Sequence, residues 1–184
     1  RTERIAQAEL LPALASITLL AAETDFSEPG EMGVLIDESQ VAMLEDQMAE
    51  RGFLTGRQMA GSFQFLHSRE LVWSALTRER LLGERLRPND LMAWNADVTR
   101  MPAAMHSEYL RRCYLRNELA EGLYPVEGRP VSLADIRLPI FALGTEKDHV
   151  SPWRSVYKLH RLTSTELTFV LTNGGHNAGI VSEP

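Results

Sequence analysis

Two short apolar runs near the carboxyl end, Leu138–Gly144 (LPIFALG) and Glu166–Thr172 (ELTFVLT), constrain the fold more than any other feature of the chain. Each has the length and the β-branched or aromatic content of a strand and is too short for a helix. Between them a polar loop, Thr145-Glu146-Lys147-Asp148-His149, leads to Pro152, a residue suited to the first turn of a helix. Strand, helix and strand at this spacing predict a βαβ unit with parallel strands, and hence an α/β fold class. A third run, Leu14–Ala21 (LASITLLA), predicts a strand buried on both faces. It ends at Glu23-Thr24-Asp25, a polar cluster where the chain leaves the sheet and a functional loop could sit, before Pro29-Gly30 closes a turn.

The long middle of the chain reads differently. Val41, Leu44 and Met48 fall at helical spacing behind a possible Asp37 cap, and Phe63, Leu66, Trp73 and Leu76 suggest a second helix. A third begins near Pro102, with Met105, Tyr109 and Cys113 expected on one face. The predicted architecture is a helical unit inserted between strands, which return after the turn-rich stretch Tyr124–Gly128.

Charge and composition exclude several classes. The 184 residues carry 19 basic and 25 acidic side chains, a net charge of −6, which argues against a general affinity for nucleic acid or anionic lipid. The deficit lies in residues 1–92, where nine acids and no Lys or Arg fall between Glu23 and Glu50, a pattern expected of a solvated face. No apolar stretch is long enough to span a bilayer. A single cysteine cannot form an internal disulfide, which fits a reducing, cytoplasmic compartment, and the start without Met suggests a piece of a longer protein.

Chemistry is expected where the strands end. In an open parallel α/β sheet, ligands bind beyond the carboxyl ends of the strands. Asp148 follows one strand and His176 the next, 28 residues later, the order in which α/β-hydrolases place their acid and histidine. Such a carboxylate fixes the imidazole tautomer and stabilises the imidazolium while the ring takes a proton from a weak nucleophile. Gly174 and Gly175 are expected to give the loop freedom to present the ring. His149 is expected to point elsewhere. The nucleophile is missing: Gly52-Phe53-Leu54-Thr55-Gly56 has the elbow's glycine spacing around a leucine, and Cys113 reads as a buried helix thiol. Ser16, Ser27, Ser62 and Ser68 lack the turn. No metal-ligand spacing, P-loop or dinucleotide fingerprint is present, so neither metal nor cofactor is expected.

Several strings together resemble the carboxy-terminal catalytic region of polyhydroxyalkanoate synthases. They are Asp25-Phe26, Leu91 to Asp97 (LMAWNAD) with Thr99-Arg100-Met101-Pro102, Tyr109-Leu110 to Asn117-Glu118-Leu119, Gly144 to Trp153 (GTEKDHVSPW), and Gly174 to Ile180 (GGHNAGI). The likeness runs from about Leu14 to Pro184 and is closest to the short-chain-monomer type. It implies a partial α/β-hydrolase fold with a large helical cap: residues 1–24 as a core helix end and strand, 25–135 as cap, and 136–184 as the core carrying the Asp and His loops. It further implies Asp148 as catalytic acid, His176 as general base, and a Cys nucleophile in a G-x-C-x-G elbow before Arg1. The implied substrate is an (R)-3-hydroxyacyl-CoA thioester, the product a polyester, and the implied partners are a second copy through the cap and the polymer granule surface. A hydrolase or thioesterase on the same fold, or a non-catalytic granule-assembly module, remains an alternative. Trp94 and Trp153 read as buried packing in preference to channel lining.

Overall fold

The computed structural model describes residues 14–56, 58–59, 81–83, 90, 93–94, 97 and 99–181. In chain order its elements are β1 (Ile17–Leu20), a 3-10 turn (Gly30–Leu35), α1 (Glu38–Met48), α2 (Ala103–Tyr109) and a π-helical turn (Leu110–Leu115). There follow β2 (Pro125–Val126), β3 (Arg129–Pro130), a 3-10 turn (Leu133–Asp135), β4 (Ile140–Thr145), α3 (Trp153–Tyr157), α4 (Leu159–Leu162), β5 (Leu167–Thr172) and α5 (Ala178–Val181). The helix expected at Phe63–Leu76 lies outside the described residues, as do Ser62, Ser68 and the chain's opening residues. Among the described residues no helix is long and apolar enough to cross a membrane.

The backbone divides into two compact units, one of residues up to Asp37 and from Tyr109 onward, the other of Glu38–Glu108. The first is an α/β unit built on a parallel three-stranded sheet in the order β1-β4-β5. Ile17 pairs with Ile140 and Leu20 with Leu143, while Ile140 pairs with Leu167 and Thr145 with Thr172. All three strands therefore point the same way, and the loops after them emerge at one end of the sheet. β4 is central, and its side chains are correspondingly shielded: Ile140 is 3% exposed and Ala142 fully buried. They pack with Ile17, Leu133, Ile136 and Leu159 as the core, flanked by Leu19, Leu167 and Phe169.

β1 departs from the expectation of burial on both faces. Ile17 is buried, but Thr18 and Leu20 are exposed. Among the described residues β1 pairs only with β4, so its apolar run covers one face of a border strand. The turn-rich stretch forms a tight β2–β3 hairpin, with Glu127 and Gly128 both at positive φ (52° and 76°). Two consecutive left-handed residues are what a two-residue hairpin of matching twist requires.

In the second unit, α1 buries Val41 and Met48, as the spacing predicts. Phe53 bridges Pro102, and Arg100 lies over the Phe53 ring at 4.8 Å. The expected common face of Met105, Tyr109 and Cys113 does not form: Met105 is 57% exposed whereas Cys113 is buried. The reason is the π-helical turn, in which the Arg116 N–H reaches back five residues to the Arg111 carbonyl. Widening the turn moves later residues off the stripe that 3.6-residue spacing defines.

Candidate active site

The loop after β4 is fastened before it reaches Asp148. The Glu146 N–H donates to the Thr172 carbonyl at 2.8 Å and the Lys147 N–H to the Gly174 carbonyl at 3.1 Å, tying it to the loop after β5. Asp148 then turns inward, its side chain fully shielded from solvent. Its Oδ1 accepts from the backbone N–H groups of Val150 (2.9 Å) and Ser151 (2.7 Å). Its Oδ2 accepts from the Thr145 hydroxyl at 3.4 Å and pairs with His176 Nδ1 at 2.8 Å.

The structure thus brings together the two residues singled out from the strand ends. The His176 side chain keeps 36% of its surface exposed while its Nδ1 is held by Asp148. Burial alone would raise the Asp148 carboxyl. The bonds from His176 and from the Ser151 and Val150 backbones outweigh it and hold Asp148 below the ordinary Asp range. A carboxylate kept ionised at Nδ1 places the ring's remaining lone pair on Nε2, the arrangement of a general base.

Gly174 and Gly175 are not among the left-handed glycines. The close approach is at Gly179 in α5, where an added Cβ would lie 2.7 Å from Gly174 Cα and 3.0 Å from the Thr145 methyl. Thr172 Oγ1 also donates to the Gly179 carbonyl at 2.9 Å. Gly179→Ala is therefore expected to cost about 1–3 kcal/mol through overpacking against backbone that cannot yield. Urea unfolding checks this; an unchanged midpoint would show that α5 is not pressed onto the His176 loop.

The polar cluster after β1 lies at the same end of the sheet. Asp25 Oδ1 accepts from the Ser27 N–H at 2.8 Å and from Asn117 Nδ2 at 3.2 Å, and Asn117 Oδ1 in turn accepts from the Phe26 N–H at 2.8 Å. Lys158 Nζ lies 2.5 Å from Glu28, 2.8 Å from Ser27 Oγ and 3.9 Å from Asp25. Glu23 has no such partner for Oε1, which is buried, and Thr24 Oγ1 and Ser151 Oγ are likewise buried without a hydrogen bond. Burial first, then the charges of Asp148 and Asp25, push the Glu23 carboxyl up to about 8 against the opposing pull of Lys158. Sequence reasoning marked this loop as a possible functional segment but did not single out Glu23. Asn117, 92 residues from Asp25, gave no local signal of the contact.

These shifts oppose one another in stability. Asp25 and Asp148, held below 3.8, contribute stability at higher pH that is lost as pH falls through their folded values. Glu23, raised from 4.5 to about 8, contributes stability present below pH 4.5 and lost as pH rises toward 8. The unfolding free energy is expected to decline across that upper window in the native chain and to flatten there in Glu23→Gln. Urea titrations at a series of pH values check it, and parallel curves for the two proteins would refute it.

The remaining candidates fall outside this pair. Cys113 is 4% exposed, and burial pushes its thiol up to about 11. It lines a cavity of about 310 Å³ with Thr24, Tyr109, Tyr124 and aliphatic residues of β1 and β4. His149 is half exposed, and its Nδ1 lies 3.9 Å from Glu31. Trp94, expected to be packed, is 58% exposed. Trp153 is partly buried, edge-on to Tyr157 with a centroid distance of 6.5 Å.

A parallel α/β sheet carrying a hydrogen-bonded Asp–His pair beyond two adjacent strands defines a class of proteins equipped for proton transfer to and from a nucleophile. Comparison with known proteins narrows the class. The chain is 42% identical over 171 residues to the poly(3-hydroxyalkanoate) polymerase subunit PhaC of Rhizobium meliloti (strain 1021), covering 93% of this chain and 28% of that protein. It is 39% identical over 171 residues to the poly(3-hydroxyalkanoate) polymerase of Methylorubrum extorquens, covering 93% and 28% respectively. With the subunit PhaC of Cupriavidus necator it shares 38% identity over 176 residues, covering 92% and 30%. No protein-family model matches the chain. The chain belongs to the poly(3-hydroxyalkanoate) polymerase family and spans less than a third of the length of these relatives.

Proposed function

We propose that this chain is the carboxy-terminal catalytic segment of a polyhydroxyalkanoate synthase, contributing Asp148 and His176 to a Cys-His-Asp triad. The observation that carries the reading is the 2.8 Å bond between Asp148 Oδ2 and His176 Nδ1 at the carboxyl ends of adjacent parallel strands. In this reading residues 1–24 and 136–184 belong to an α/β-hydrolase core, and 25–135 form its helical cap. The nucleophile is a cysteine supplied by the rest of the polymerase, because Cys113 is buried and resists ionisation.

His176 takes the proton of that thiol, and the thiolate attacks the carbonyl carbon of an (R)-3-hydroxyacyl-CoA. The acyl carbon–sulfur bond to CoA breaks, and the departing CoA sulfur is protonated from the imidazolium. His176 then removes the proton of an incoming hydroxyl, which attacks the acyl-enzyme to form an ester and regenerate the thiolate. Asp148 stabilises the imidazolium in both halves without itself taking the proton. The site acts in the cytoplasm at the polymer granule surface, with two copies associating through the cap.

The test follows CoA release from 3-hydroxybutyryl-CoA. The 184 residues alone are expected to release none, and the full-length polymerase carrying them to release CoA with formation of polyester. Release by the 184 residues alone would overturn the assignment of the nucleophile to another part of the protein. Free hydroxy acid as the sole product of the full-length protein would identify a thioesterase instead.

A further inference from the structure

Three carboxyl groups, Glu23, Asp25 and Asp148, converge at the end of the sheet, and their surroundings are unequal. β1 and β4 are adjacent and in register through Leu20 and Leu143, and the Ala21 N–H donates to the Leu143 carbonyl at 2.8 Å. Ala21 then adopts a left-handed conformation, φ 45°, unusual for a residue with a Cβ and costing about 1–2 kcal/mol. Glu23 follows this bend and Asp148 follows β4, so the two leave neighbouring parallel strands at the same end of the sheet, and the Asp148 charge is among those that raise the Glu23 carboxyl. Asp148 is saturated by two backbone N–H groups, the Thr145 hydroxyl and His176, and Asp25 by Ser27 and Asn117. Glu23 Oε1 is sealed from solvent with no partner.

We propose that Glu23 is a positioning residue of the Asp148–His176 pair that acts through its charge: as the acid it leaves the pair with a single negative charge, and as the carboxylate it adds a second. Asp148 has four donors to retain its charge, whereas Glu23 has none on Oε1, so the shared excess proton resides on Glu23. Lys158, the cation facing the cluster, cannot neutralise it fully because its ammonium is held by Glu28 and Ser27. From the helical segment, Tyr109 and Tyr114 face Glu23 as buried phenols, both pushed upward by burial and so neutral donors at the same pH. Ionisation of Glu23 therefore places uncompensated negative charge beside the carboxylate that His176 depends on, and opposes any anion formed near the ring.

The inference rests on the proposed triad only for its effect on turnover, and the experiment separates the two. In the 184-residue chain, side-chain carboxyl carbons and the His176 ring nitrogens are followed by NMR across pH, with Glu23 assigned through E23Q and, independently, E23D. One Glu carboxyl is expected to remain protonated at pH 7 and titrate near 8, and the His176 nitrogens to shift in step with it. E23Q is expected to abolish that step. In the full-length polymerase, the ratio of kcat/KM in E23Q to that in the native enzyme is expected to rise on the order of tenfold between neutral and alkaline pH. A Glu23 that titrates with ordinary carboxyls, or His176 nitrogens that ignore it, overturns the inference whatever the polymerase does. A step at His176 in a protein that transfers no acyl group leaves the charge coupling standing and overturns the proposed reaction instead.

Discussion

Asp148→Asn is expected to reduce acyl transfer by the polymerase that carries this chain by about 10³–10⁴-fold in kcat, with little change in KM. The size follows from which contacts survive. Asparagine's carbonyl oxygen still accepts from Val150 and Ser151, so the loop keeps its shape. Its amide group then faces His176 Nδ1 where Oδ2 stood at 2.8 Å, and a donor there forces Nδ1 to become the acceptor. The ring proton moves to Nε2, and the nitrogen meant to take the nucleophile's proton is blocked. Asp148→Ala differs because it also leaves the Val150 and Ser151 N–H groups unpaired in a shielded site, adding about 1–3 kcal/mol of destabilisation. Steady-state kinetics with denaturant unfolding separate the two variants. Less than a tenfold loss in Asp148→Asn with an intact fold would show that tautomer control is not what Asp148 supplies.

Legibility from sequence tracked how local each signal was. β4 was readable because a central parallel strand is largely apolar, β5 because its short run LTFVLT is rich in β-branched and aromatic residues, and Pro152 marks the start of α3 between them. Asp148 and His176 were readable because each follows such a run directly, so the sheet itself aligns them. β1 was readable as a strand, but its exposed Thr18 and Leu20 were not, since burial of a face depends on which neighbours cover it and among the described residues β1 pairs only with β4. The π-helical turn was invisible, because Met105, Tyr109 and Cys113 satisfy ordinary helical spacing whatever ladder the backbone adopts. Trp94 misled for a related reason: large apolar area favours burial on average, yet it is 58% exposed here. Glu23, with its unpartnered Oε1, was hidden most deeply, because its state is set first by burial in the folded chain and then by the charge of Asp148, more than a hundred residues away in sequence.

His176→Ala is expected to be about as severe as Asp148→Asn, removing the base for both halves of the reaction and lowering kcat by about 10²–10⁴-fold. Its structural cost should be small by comparison. The ring is partly solvent-exposed, and its one hydrogen bond within the site goes to Asp148, which retains the Val150, Ser151 and Thr145 donors after truncation. The space the ring vacates is open to solution and has an acceptor at its inner end, conditions under which free imidazole can dock with one nitrogen on Asp148 Oδ2. Added imidazole is therefore expected to restore part of the lost rate in His176→Ala in a saturable manner. It should restore nothing in the double variant His176→Ala/Asp148→Asn, where the inner acceptor has become an amide. Rescue that is equal in both variants would mean that imidazole acts as a bulk base and that Asp148 does not orient the ring. Retention of more than a tenth of the native rate in His176→Ala without imidazole would remove His176 from the proton-transfer steps altogether.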